Sequence, residues 1–97
     1  MNSSSDRSGV IHQIEEQRFV LAVADTMAVL EYRRAGRKVD FHHTFVPPEA
    51  RGGGHARRLV ESGISWARAE GLEILASCPY VANHLAAEKK AADKGSS

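Results

Sequence analysis

The sequence predicts a single α+β domain: an antiparallel three-strand meander, a helix, a parallel fourth strand and a C-terminal helix, forming a mixed sheet with helices packed on it. Three observations predict it. Three short apolar, partly β-branched segments lie between residues 18 and 46, separated by turn-forming residues. Residues 56–67 then carry a single apolar stripe at helical spacing. A fourth strand pattern follows that helix at once, and the helix is long enough for a right-handed crossover between parallel strands.

The first segment, residues 18–24, contains Phe19-Val20-Leu21-Ala22-Val23 and reads as a strand, with Asp25-Thr26 as its turn. Residues 27–33 continue with Val29, Leu30 and Tyr32, and the next turn falls at residues 34–37, where Gly36 is free to take positive φ. Residues 38–46 form the third strand, and strict alternation puts Val39, Phe41, His43 and Phe45 on one face. Residues 10–14 are a candidate edge strand. Pro47-Pro48 ends the third strand, since proline has no ladder donor. After the loop, Ala56, Leu59, Val60, Gly63, Ile64 and Ala67 make the buried stripe, and Gly71 caps the helix end. Residues 72–78 form the fourth strand. Pro79 suits a first helical position, and a second helix runs to about Ala92.

With 97 residues the chain suits one domain, expected over residues 10–92, with disordered tails at 1–9 and 93–97. Hydrophobic residues are 42% and charged residues 26%, an ordinary soluble composition. No apolar run approaches the roughly 20 residues that span a bilayer. No basic segment followed by an apolar one marks a secretory signal. The lone Cys78 excludes an internal disulfide and a cysteine-cluster zinc site, so a reducing, cytoplasmic location is expected. A net charge of +1 gives no general pull toward nucleic acid or membrane, and any anion binding has to be local.

Arg51-Gly52-Gly53-Gly54-His55-Ala56 is such a local arrangement. Glycines between a strand end and a helix start let backbone amides approach a ligand, and the unpaired amides and dipole of the first turn add positive potential. Together they make a phosphate cradle. A Walker loop would need Lys-Ser/Thr after Gly54, and the dinucleotide fingerprint needs spaced rather than contiguous glycines. Arg57 and Arg58 lie where cations oppose the helix dipole, a conflict that a bound anion would relieve. The competing reading, a plain surface loop, stands level on composition alone.

Cys78 falls beside the start of the second helix, a position that favours thiolate, which could accept a proton or an acetyl group. A small buried residue at a strand end is the competing reading. His42 and His43 are adjacent in a strand and face opposite sides, so they cannot chelate one metal, and no histidine or cysteine spacing suits a metal site. Tyr80, Asn83 and His84 lie near the start of the second helix, within reach of the same region. Trp66 stands at the margin of the apolar stripe, with packing as its default role.

These residues resemble the GNAT acetyltransferases. Residues 51–56 match their acetyl-CoA motif, Gln/Arg-x-x-Gly-x-Gly/Ala, after a strand and at a helix start. Together with His43-Thr44-Phe45-Val46-Pro47 and Cys78-Pro79-Tyr80-Val81, they look like the small single-domain GNAT-like enzymes. The resemblance covers roughly residues 18–86. It implies a pyrophosphate on the backbone of Gly52, Gly53, Gly54, His55 and Ala56, and a pantetheine arm along Thr44, Phe45 and Val46 where the third and fourth strands splay. It further implies a thioester directed toward Cys78, with Arg51, Arg57 or Arg58 meeting the adenosine phosphates and Tyr80 and Asn83 adjoining the cofactor. In larger members a tyrosine on the last helix protonates the departing thiolate, in a spacing Asn-x-x-Ala-x-x-x-Tyr. Here Asn83 and Ala86 match and Lys90 takes the tyrosine position.

The leading expectation is therefore an acyl-CoA-dependent N-acetyltransferase, acting on a protein, peptide or small amine, with Cys78 and His43 (as base) in catalytic roles, no metal, and a monomeric state. The alternative is a non-catalytic CoA-binding regulatory module. A nucleic-acid binder using Arg33, Arg34, Arg37, Lys38, Arg51, Arg57 and Arg58 is disfavoured by the near-neutral charge and the absence of stacking aromatics beside the basic residues.

Overall fold

The structure, a computed structural model, describes the backbone of residues 9–95 and the side chains of residues 9–90. The expected N-terminal tail, Gly9 apart, and the last two residues of the C-terminal one lie outside the described residues. In chain order the elements are β1 (Val10–Gln13), β2 (Arg18–Val23), β3 (Thr26–Ala35), β4 (Lys38–Phe45), a 3-10 turn (Pro48–Ala50), α1 (His55–Ala69), β5 (Glu73–Ala76) and α2 (Pro79–Gly95). The sheet order is β1-β2-β3-β4-β5. The first four strands form an antiparallel meander, and β5 joins β4 in parallel after the α1 crossover. The candidate edge strand is thus real, and the meander has one strand more than expected.

The first hairpin closes on Val23↔Thr26, so its two-residue turn is Ala24-Asp25, one residue earlier than expected, with Ala24 at φ 54. The second closes on Ala35↔Lys38, and Gly36 supplies its positive φ of 61.

β4 departs from strict alternation. Tyr32 pairs with Phe41, but Glu31 pairs with His43 and Leu30 with Thr44, so one extra residue, His42, is accommodated between them. This β-bulge reverses the facing of everything after it. Tyr32 and Leu30 are both buried on the core face, and their partners Phe41 and Thr44 share that face. The expected common face of Val39, Phe41, His43 and Phe45 is corrected accordingly: the first two are in the core, while His43 and Phe45 point to the other side.

α1 buries the six residues expected of it. At Gly63 it comes so close to the sheet that a Cβ would stand 2.9 Å from Phe41 Cε1 and 3.0 Å from Leu30 Cδ2. Val81 of α2 and Cys78 join the same core, so both helices share one face of the sheet. The opposite face carries the exposed Ile11, Met27, Phe45 and Leu75. At the far end of α1, Trp66 packs edge-on to His12 and Phe19, and His12 stacks on Phe19 at 4.0 Å while its Nε2 lies 2.6 Å from the Tyr32 hydroxyl. Burial lowers the His12 pKa, with Glu70 partly opposing, so the neutral ring accepts the tyrosine proton.

Candidate active site

β4 and β5 are paired only from Lys38↔Glu73 to Phe41↔Ala76. One further bond, Cys78 N–H to the Phe41 carbonyl at 3.0 Å, closes the parallel segment. Beyond it β4 continues to Phe45 while the other chain turns into α2, so the two strands part. Asp40 fixes that turn: one carboxylate oxygen accepts the Ser77 N–H at 2.9 Å and the other accepts its hydroxyl at 2.8 Å.

The Gly-rich loop faces the gap from above. Arg51 Nε donates to the Val46 carbonyl at 3.0 Å and ties the loop to the strand end. Gly52 and Gly54 have φ of 90 and 78, conformations that side chains disfavour. Gly54 is the residue before α1, with no side-chain cap, and the first helical bond runs from Arg58 N–H to the Gly54 carbonyl at 3.2 Å. The amides before it have no carbonyl within the helix to donate to. The result is a row of N–H groups at the positive end of a fifteen-residue helix.

A cavity of about 490 Å³ lies between the loop and the strand end. Thr44 of β4 and Val46, the residue after its end, form one wall. Arg51, Gly52, Gly54, His55 and Ala56 form the loop side, and Ala50 and Tyr80 complete the lining. A shallower hollow of about 320 Å³, formed by Arg57, Tyr80, Asn83 and His84, adjoins it through Tyr80. A bound pyrophosphate group fits this chemistry: amide donors, a helix N-terminus, Arg51 on the rim, and a buried histidine nitrogen, His55 Nδ1, that has no partner.

Behind the Thr44 wall stands Cys78, buried and 3.3 Å from the Thr44 hydroxyl. It occupies the N-cap position of α2, where the Cys78 carbonyl accepts the Ala82 N–H at 3.0 Å. Burial pushes its thiol up. Hydrogen bonds from the Thr44 side chain and from the backbone at Val81, Tyr80 and Thr44 outweigh that, so the net pKa is below that of an ordinary thiol. The sulfur plays the part that a serine or aspartate oxygen takes at other N-caps.

Of the residues expected at the site, those of the cavity and its adjoining hollow come together. Gly53 stands against the ring of His55, where a Cβ would come within 2.6 Å of Nε2. Phe45 is on the opposite face of the sheet. His43 is exposed on that same face, so it is not a partner of the Cys78 thiol. Arg57 is not left to oppose the helix dipole alone, since Glu61 pairs with it at 2.9 Å one turn on. The Arg58 guanidinium lies toward Gly9, 3.9 Å from where a Cβ there would be. The sequence reading missed Ala50, the Thr44–Cys78 contact and the Asp40–Ser77 clamp. The two contacts join residues more than thirty positions apart, and no local pattern announces them. Among the described residues no group of three or more histidine, cysteine, aspartate or glutamate side chains could hold a metal ion, and no helix is long and apolar enough to cross a membrane.

The model of the GCN5-related N-acetyl-transferase family matches residues 18–94 of the chain, from β2 to within α2. No curated protein matches it at a significant level. The chain belongs to the GCN5-related N-acetyltransferase family.

Proposed function

We propose that this protein binds acetyl-CoA and transfers its acetyl group to an amine. One observation carries the reading: the cavity that begins on the Gly-rich loop ends at Thr44, whose hydroxyl meets Cys78 behind it, where β4 and β5 part. An anion cradle, a channel along a strand end and an activated thiol are thereby aligned, as the family relationship leads one to expect.

When bound, acetyl-CoA supplies an acyl group on a good leaving group. The chain's residues bind and orient. The amides of residues 52–56 and Arg51 hold the phosphates. The Val46 N–H, just past the end of β4 and beyond its pairing with β5, polarises the acyl carbonyl in the manner of an oxyanion donor. The acceptor amine forms the new C–N bond as the C–S bond breaks, and the amine loses a proton while the departing sulfur gains one. Cys78 donates that proton through the Thr44 hydroxyl, a transfer made favourable by a thiol more acidic than an ordinary one. The burial of Cys78 behind Thr44 favours this role over carriage of the acetyl group by its sulfur. His43, on the open face beyond the last β4–β5 pair, is our candidate to take the amine proton from an acceptor entering from that side.

The test is calorimetric titration with acetyl-CoA, CoA and ATP, combined with release of free CoA in the presence of peptide and small amines. Tight binding of both CoA forms with weak ATP binding, plus amine-dependent CoA release, is the expected result. CoA binding without turnover toward any amine would favour a non-catalytic binding module. Absence of CoA binding at millimolar ligand refutes the reading.

A further inference from the structure

The parallel ladder between β4 and β5 loses its step at Ser77. Glu73 donates its N–H to the Arg37 carbonyl at 2.7 Å, and Phe41 is paired with Ala76. In such a ladder alternate residues of a strand bond to the same neighbour, so Ser77 is due to donate to the Phe41 carbonyl. Cys78 takes that carbonyl instead, at 3.0 Å. Ser77 is left over, and its N–H would be a backbone donor without a partner in the sheet. The carboxylate of Asp40 supplies one: Oδ1 accepts the Ser77 N–H at 2.9 Å, and Oδ2 accepts its hydroxyl at 2.8 Å.

We propose that Asp40 is a positioning residue for the transfer reaction: its carboxylate stands in for the missing rung of the ladder and thereby holds Cys78 against Thr44 where the strands part. The inference rests on the acetyl-transfer reading above and adds to it a residue on the far side of the sheet. Val39 and Phe41 are in the core, so Asp40 between them faces the other way, and it does not line the cavity. It acts only through Ser77.

Three bonds fix Ser77 and the peptide units on either side of it: two to Asp40, and one from the Cys78 N–H to the Phe41 carbonyl. That order matters because the partners of the sulfur come from different elements. The Thr44 hydroxyl reaches it from β4 at 3.3 Å, and the amides of Tyr80 and Val81 reach it from α2. Both sets converge on one atom only while the turn between β5 and α2 keeps its shape. Asp40 has no competing duty. Arg33 stands opposite it in β3, yet no ion pair joins Asp40 to a cation among the described residues. Its charge acts on the thiol in the contrary direction, since a nearby anion disfavours thiolate. Loss of the bonds and loss of the charge therefore move the thiol oppositely and can be told apart.

The experiment is the pH profile of Cys78 alkylation by iodoacetamide in wild type, Asp40→Asn and Asp40→Ala, with CoA binding and amine-dependent CoA release measured on the same proteins. Asparagine keeps an acceptor for the Ser77 N–H and a polar atom for its hydroxyl, and loses only the charge. Alanine loses both. The plateau at high pH reports access to the sulfur, and the midpoint reports thiol acidity, so loosening and acidity are read separately. The midpoint of Asp40→Ala should lie above that of Asp40→Asn by about a fivefold change in the thiol–thiolate equilibrium, part of the roughly tenfold that one bond to a charged group supplies. Asp40→Asn should lie at or just below wild type. CoA affinity should agree among the three, while turnover falls in Asp40→Ala and returns in Asp40→Asn. Coincident midpoints for the two variants would overturn the inference and leave Asp40 a fastener of the surface turn. Failure of wild type to bind CoA, or to release it with any amine, overturns the underlying reading and the inference with it. Ser77→Ala loses the hydroxyl bond alone and no charge. Should Asp40→Ala not fold, the Ser77→Ala midpoint must rise above wild type, and coincidence with wild type overturns the inference.

Discussion

Replacing Thr44 with valine removes one hydroxyl and almost no volume, and the consequence can be worked from the site. The hydroxyl lies 3.3 Å from Cys78 Sγ. It is the foremost of the hydrogen bonds that bring the thiol below its ordinary pKa against the opposing effect of burial. Valine keeps the burial and loses the bond. A hydrogen bond to a charged group contributes about 1.5–3 kcal/mol, and the lower end suits a strand end beside an open cavity. Since about 1.4 kcal/mol is a factor of ten, the thiol–thiolate equilibrium should shift about tenfold toward the thiol. Cys78 is the chain's sole cysteine, so the rate of its alkylation by iodoacetamide reports it directly. The alkylation profile of Thr44→Val should move to higher pH, while Thr44→Ser, which keeps the hydroxyl, should follow wild type. Superimposable profiles for the valine variant and wild type, with matching circular dichroism, would show that Thr44 does not stabilise the thiolate and would remove it as a proton relay.

Three further outcomes are expected. Gly63→Ala would drive a methyl group into Phe41 and Leu30; overpacking of this kind costs about 1–3 kcal/mol, more than the roughly 1 kcal/mol gained in helix propensity, so the urea midpoint should fall. Burial holds the folded-state pKa of His12 below its unfolded value, so the stability this ring contributes is complete above about pH 6.5 and is lost as pH falls through the folded value. Thermal scans should show that loss in wild type and less of it in His12→Phe. Asp40→Ala removes both bonds to Ser77; the amide of Ser77 should exchange at least tenfold faster with solvent, at an expected cost of about 1.5 kcal/mol for charged-group bonds in an exposed setting.

The strands, the α1 stripe and the Gly-rich loop were legible because each is written in consecutive residues with a fixed period or composition. The six buried positions of α1 and the turn at Gly36 are of this kind. The facing of β4 beyond Phe41 was not, because a bulge is decided by the fit of two strands and leaves no mark in either one. That single irregularity moved His43 away from Cys78 and brought Thr44 to it. Trp66 was placed correctly at the stripe's edge, but its partners His12 and Phe19 come from two other strands and emerge only in three dimensions. The loop was read as a cradle from its backbone freedom. The closeness of the His55 ring to Gly53 depends on side-chain direction, which spacing does not fix.

The extra residue in β4 also divides one strand into two segments with separate duties. Residues 38–41 keep step with the core, and residues 43–45 keep step with the cavity, one position out of phase. Inserting or deleting a residue at the junction would exchange which side chains look into the cavity and leave the packing of Val39 and Phe41 untouched. A strand built in this way can have its working surface rewritten independently of its foundation, and related chains aligned without a gap at His42 would appear to have lost the very residue, Thr44, that meets the thiol.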